Sequence, residues 1–186
     1  MFVEPGTKSD VLRQGDIIKL IQVLGTIAYE QVTIPRAADR DLNHNPQSWS
    51  VQSPPKFRDC MVLTHCCELD PNNESKLTSI ILAPLRDVHT ATNPEKLREL
   101  IESNDIRRPE LSASYLKYFY IQGHPSMQTR GDTIVDFSKC FSVRNKSYKF
   151  LAKKKILQLR DSVRASMSLK LALYFHRADS SALAVA

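Results

Sequence analysis

The chain has 186 residues, 42% of them hydrophobic and 25% charged, which suits one compact domain of ordinary globular composition and leaves little room for a second large core. No window approaches the ~18 uninterrupted apolar residues of a membrane span, and Met1 to Gly6 offers neither a basic n-region nor an apolar h-region. Membrane insertion and secretion are therefore set aside, a cytoplasmic location is expected, and Cys60, Cys66, Cys67 and Cys140 are expected to be thiols.

The net charge of +6 is unevenly spread. Lys139 to Arg177 holds eleven Lys or Arg against one acid, Asp161, a local balance of +10, while residues 1 to 138 carry 15 bases and 19 acids. A basic segment on a mildly acidic body attracts polyanions over the ~10 Å Debye scale. The plain alternative is a solvated basic face with no partner.

In chain order, Gln14-Gly15-Asp16 is a turn signal, and Ile17 to Leu24 is an apolar, β-branched run that predicts a strand at about 16 to 24. Residues 25–56 carry four prolines and a polar DRDLNHNPQ stretch, a long insertion with one short strand expected at Thr26 to Ile34. Arg58 to His65 and Leu77 to Leu85 are the next strands, apolar nearly throughout, with a turn at Glu68 to Lys76 between them. Asn93-Pro94-Glu95 supplies a cap, a first-turn proline and a first-turn acid for a helix at about 94 to 103. Strands are predicted at Tyr115 to Gln122, Asp132 to Val143 and Phe150 to Leu159. Asp161 is expected to cap a helix to about Arg177, with Val163, Met167, Leu171 and Tyr174 on one stripe and Leu169, Ala172, Leu173 and Phe175 on the next. A helix apolar over more than half its girth must pack on the sheet. Short strands without intervening long helices predict a mainly β, α+β fold: a small antiparallel barrel with long insertions, residues 25–56 and 87–131, a C-terminal packing helix, and a flexible tail at 178–186.

Several of these segments resemble the PemK/MazF toxins, whose fold is an SH3-like barrel. Gly15-Asp16-Ile17-Ile18 resembles the family's opening strand, and Arg58 with Met61-Val62-Leu63-Thr64-His65 resembles its arginine and second strand. Ile80 to Leu85 resembles the strand that follows, and Asp136 to Val143, Ile156 to Leu159 and the last helix resemble its closing portion. The resemblance implies a single SH3-like barrel domain over 1–186 and an RNA-directed activity, either a metal-independent endoribonuclease toxin or an RNA binder that does not cut. It also implies an acidic, antitoxin-like protein partner and a homodimer. Asp59 stands where the family has proline, and Arg86 where it has its catalytic threonine.

Metal-independent RNA cleavage needs a group to activate the 2′-OH and a cation to stabilise charge on the phosphate. Arg58, Thr64, His65 and Arg86 lie at the ends of two neighbouring strands and are expected to converge on one pocket. Lys146, Lys149, Lys153, Lys154, Lys155 and Arg160 are the expected contacts to RNA or single-stranded nucleic acid. Tyr115, Tyr118, Phe119 and Tyr120 are candidate stacking aromatics, or else one half-buried strand. His65-Cys66-Cys67 invites zinc, but adjacent cysteines chelate one ion poorly, so no metal is assigned and no cofactor is expected. A nucleophilic Cys66 or Cys67 would need a nearby base, and His65 is only its neighbour in sequence. The competing function is a non-enzymatic protein-interaction module, bacterial or phage-borne, built on the same barrel.

Overall fold

The computed structural model describes residues 1–3, 11–23, 56–73, 77–88, 93–105, 107 and 113–176. The expected strand at Thr26 to Ile34, nearly all of the 25–56 insertion and the 178–186 tail lie outside the described residues. The chain divides into two units, Met1–Ile21 with Arg58–Ala186, and Gln22–Phe57. Of the second, only residues 22, 23, 56 and 57 are described.

The protein is a mixed α+β molecule built on a curled, antiparallel half-barrel. Its strands are β1 (Ile17–Val23), β2 (Lys56–Val62), β3 (Ser79–Asp87), β4 (Tyr118–Ile121), β5 (Thr133–Asp136), β6 (Phe141–Arg144) and β7 (Lys155–Leu157). Its helices are α1 (Pro94–Glu102), α2 (Tyr148–Lys153) and α3 (Asp161–Phe175). The sheet runs β4-β5-β3-β2-β1-β7, with β6 also on β3. Among the described residues no helix is long and apolar enough to cross a membrane.

β3 is the hub. One edge pairs with β2 through Cys60↔Pro84, Met61↔Ala83 and Val62↔Leu82. Its other edge is shared: Ser79 to Leu82 pair with β6, and Leu85 to Asp87 pair with β5. The Leu63 N–H donates to the Ile81 carbonyl at 2.8 Å. By the alternation of an antiparallel ladder, the missing N–H of Pro84 then faces the gap between β6 and β5, where no ladder bond is lost.

The strand expected over 132–143 is thus two strands. The Asp136 carboxylate accepts the Ser138 N–H at 3.0 Å and caps a 3-10 turn, Phe137–Lys139, which tucks Phe137 into the core. Phe150 to Leu159 is likewise not one strand: it begins inside α2 and only Lys155–Leu157 is extended. Lys, Ala and Leu favour helix there, and β7 is held by pairing with β1 rather than by its own propensity.

The core joins Ile17, Met61, Leu63, Leu85, Phe119, Ile121, Val135 and Phe137 of the sheet side to Met167 and Leu171 of α3. Only one face of α3 turns inward; Leu169, Leu173 and Phe175 are exposed, against the expectation of a broad apolar contact, because no described residue forms a further layer over them. Asp161 is the first helical residue rather than the cap, and it pairs with Arg164 at 2.9 Å. In α1 the predicted cap is present: Asn93 Oδ1 accepts the Glu95 N–H at 2.9 Å.

Two groups outside the core pattern fix the curl. Gly15 adopts φ +85°, and a Cβ there would meet Leu159 Cδ1 at 2.9 Å, so the turn into β1 requires glycine. Asp59 is buried, and its two oxygens accept the Leu20 N–H (3.0 Å) and the Gln128 N–H (2.6 Å), tying β1, where Leu20 has φ +52°, to the loop after β4.

Candidate nucleic-acid interface

The four residues expected to form one catalytic pocket are not brought together. Arg58 and Arg86 stand at the same end of the β2–β3 pair, two residues beyond Cys60 and Pro84. Thr64 and His65 lie six and seven residues along from Arg58, roughly 20 Å of extended chain at ~3.3 Å per residue. Thr64 is buried, and its Oγ1 accepts the Ile81 N–H at 2.7 Å. Arg86, 54% exposed, faces the Asp136 carboxylate at 3.6 Å, and Arg58 is half-buried. The arginine pair thus stands at one end of this stretch and the imidazole at the other. A cavity of about 960 Å³ between α1, β4 and α3 is lined by none of the four.

The basic segment splits as sharply. Lys155, expected on the surface with Lys153 and Lys154, is buried. The register Ile17↔Leu157 and Ile18↔Lys155 shifts by one residue between Ile17 and Ile18. Lys155 Nζ lies 2.9 Å from Asp16 Oδ2 and donates to the Val11 carbonyl at 2.8 Å and to Gln158 Oε1 at 3.2 Å. Burial raises the Asp16 carboxyl above its ordinary value, against the opposing pull of the Lys155 ammonium. Lys170 of α3 is 0% exposed and donates to the Ser103 carbonyl (2.8 Å) and hydroxyl (3.0 Å) at the end of α1. Burial brings its ammonium down to about 8. Arg160 Nε donates to the Phe2 carbonyl at 2.8 Å.

What remains is a ridge. Lys139, Arg144, Lys146, Lys149 and Lys153 are exposed and Lys154 is half-exposed, with no acid between residues 139 and 154. The ridge follows β6, the 3-10 turn Asn145–Ser147 and α2. The inner face of α2 is held by Leu151, which is buried, and by Tyr148, whose hydroxyl accepts the Leu12 N–H at 3.1 Å. That orientation turns Lys149, Phe150 and Lys153 outward. Phe150 is 55% exposed, and the Lys154 ammonium sits 5.1 Å from its ring centroid, an i,i+4 neighbour.

Of the aromatic candidates, Phe119 and Tyr120 are buried, the Tyr115 hydroxyl donates to Glu99 at 2.8 Å, and the half-buried Tyr118 has the Lys117 ammonium 4.7 Å from its ring centroid. Phe150 was missed because it was read as the start of a strand. The signal for it was the period of Leu151 against Lys149, Phe150, Lys153 and Lys154, which suits a helix with one apolar side.

His65 and Cys67 do meet. His65 Nδ1 lies 3.0 Å from Cys67 Sγ, in an exposed turn that opens on a cavity of about 520 Å³. All four cysteines are free thiols; Cys60 is buried and pushed up to about 12 by that burial. Among the described residues no cluster of three or more His, Cys, Asp or Glu is arranged to hold a metal ion. No protein-family model and no curated protein matches the chain.

Proposed function

We propose that this protein binds RNA or single-stranded nucleic acid through the α2 ridge and does so without cutting it, on an enlarged PemK/MazF-like, SH3-type barrel. The observation that carries the reading is Phe150, exposed at 55% in the middle of Lys146, Lys149, Lys153 and Lys154 with no acid among them. Ammonium groups that track phosphates beside an aromatic ring that stacks on an unpaired base are the two parts of a single-strand site. The barrel assignment is supported by the antiparallel curl, the terminal helix across it and the Gly15-Asp16-Ile17-Ile18 opening. Binding without cleavage is supported by the distance between Arg58 and His65.

The test is fluorescence anisotropy of a labelled single-stranded RNA across a salt series. Substituting Lys149, Lys153 and Lys154 by Gln flattens the slope of log affinity against log salt by about 2 units. Phe150→Ala lowers affinity by about 5- to 150-fold, the worth of one stacked base, while leaving that slope in place. If both variants bind as the parent does, the ridge is not the site. The interaction-module reading then takes its place, with the exposed Leu169, Leu173 and Phe175 of α3 as its surface.

A further inference from the structure

The turn after β2 contains a nucleophile and a base in contact. His65 Nδ1 is 3.0 Å from Cys67 Sγ, and the Cys67 backbone N–H also points at Nδ1, at 3.3 Å. A backbone N–H only donates, so Nδ1 is the bare ring nitrogen and the thiol S–H is the other donor to it. The imidazole is thus placed to take the thiol proton directly.

Both side chains are exposed, and Cys67 lines the cavity of about 520 Å³ with Glu68, Asn73, Leu77, Thr78, Ser79 and Ile81. The turn itself is held firmly: Asn73 Nδ2 donates to the Cys67 carbonyl at 2.7 Å, and the Glu68 and Leu69 N–H groups both donate to the His65 carbonyl. Cys66, by contrast, is directed at the body of the protein, where its sulfur accepts the Gln14 N–H at 3.3 Å.

These hydrogen bonds decide the class of chemistry. Acyl transfer needs donors free to receive an oxyanion beside the nucleophile. Here the amides of Cys67, Glu68 and Leu69 are already engaged within the turn. Thiol–disulfide exchange needs only a thiol, a base in reach of its proton and access for a second sulfur, and all three are present.

We propose that Cys67, with His65 as its base, is a thiol-exchange site for a small disulfide of the glutathione type, an activity separate from nucleic-acid binding. In the step, the Cys67 proton passes to His65 Nδ1 and the thiolate attacks one sulfur of the disulfide RSSR. The Cys67–SR bond forms as the RS–SR bond breaks. The departing RS⁻ takes the proton from the imidazolium and leaves as RSH. One half of the disulfide is reduced while Cys67 is oxidised, and a further thiol reverses the step. His65 is the proton-transfer residue and Cys67 the one that bonds to the ligand.

The experiment treats the whole chain with oxidised glutathione at neutral pH and follows the adduct by intact mass and peptide mapping. The expected result is one adduct, on Cys67, formed at least tenfold faster than on the same cysteine of the urea-unfolded chain. His65→Ala slows it by about tenfold or more, and free imidazole restores part of the rate, which a merely structural role for His65 would not allow. Cys67→Ser abolishes the adduct, and Cys66→Ser leaves it in place. The proposal is overturned if Cys67 reacts no faster folded than unfolded, if the first adduct maps to Cys66 or Cys140, or if His65→Ala keeps the parent rate or gains nothing from imidazole. Circular dichroism of each variant separates these results from loss of fold.

Discussion

The ridge of α2 and the seam between β1 and β7 share three consecutive lysines and treat them in opposite ways. Lys153 and Lys154 belong to a face with no acid between residues 139 and 154, whereas Lys155, one residue on, is sealed against Asp16. Lys170 is a third case, a fully buried lysine that donates to the neutral oxygens of Ser103. Charge along a sequence is therefore a poor measure of charge on a surface. Of the eleven bases between Lys139 and Arg177, the ridge keeps six, and those six lie in its first sixteen residues.

Mutating the two regions in parallel puts the contrast to its hardest test. Lys155→Met leaves Asp16 buried without its cation and destabilises the fold by about 3 to 5 kcal/mol, read as a lower urea midpoint and a Tm lower by roughly 10 °C. Lys153→Met changes stability by no more than about 0.5 kcal/mol. Replacing both members of the pair, Asp16→Leu with Lys155→Met, regains most of the loss. In the single variant the buried Asp16, already raised by burial, folds neutral, while in the unfolded chain it ionises near ~3.9. The deficit of Lys155→Met therefore grows as pH rises above about 4.

Lys170 sharpens the comparison in the other direction. Its folded value of about 8 lies below the ordinary 10.5, so between these two values the unfolded chain binds the proton that the folded chain has released. Stability from this group consequently rises with pH across that window, by at most ~1.4 kcal/mol per pH unit and on the order of 3 kcal/mol in all. Urea titrations at pH 7.5 and pH 10 show this as a gain of the parent over Lys170→Met. An equal response in the two proteins would mean that the ammonium is solvated. Arg86, whose ion pair with Asp136 is half in water, matters less than either buried lysine: Arg86→Ala costs about 1 kcal/mol or less, and added salt removes what there is.

Elements whose local signals agree with their neighbours were readable from sequence. β1, β2, β3, α1 and α3 fall within two or three residues of their predicted bounds, because apolar runs, Asn93 and the turn at Gly15 each act locally. The errors arise where pairing overrides propensity. Nothing in Phe150 to Leu159 says that the strand must wait for Lys155, since β7 exists only through β1. The burial of Lys155 follows from a one-residue shift in that same register, which flips a side chain to the other face and leaves no mark in composition. The expected convergence of Arg58 and His65 rested on reading both as strand-end residues, and the structure places them at opposite ends of one extended stretch. His65 and Cys67 were within reach of the sequence, since residues two apart in extended or turning chain share a side.

β3 has a consequence for how the chain is made. Its first edge is completed by β2, which has already been synthesised, but its second edge takes its described partners from residues 133 to 144. While the ribosome adds the residues between, Ile80, Leu82 and Leu85 belong to a strand with one row of backbone donors and acceptors unclaimed, and such an edge is a template for another chain. Pro84 interrupts that row midway, so a nascent neighbour finds two short stretches to bind instead of one long one. The residue that lets two strands share an edge in the finished protein also shields that edge before either of them has arrived.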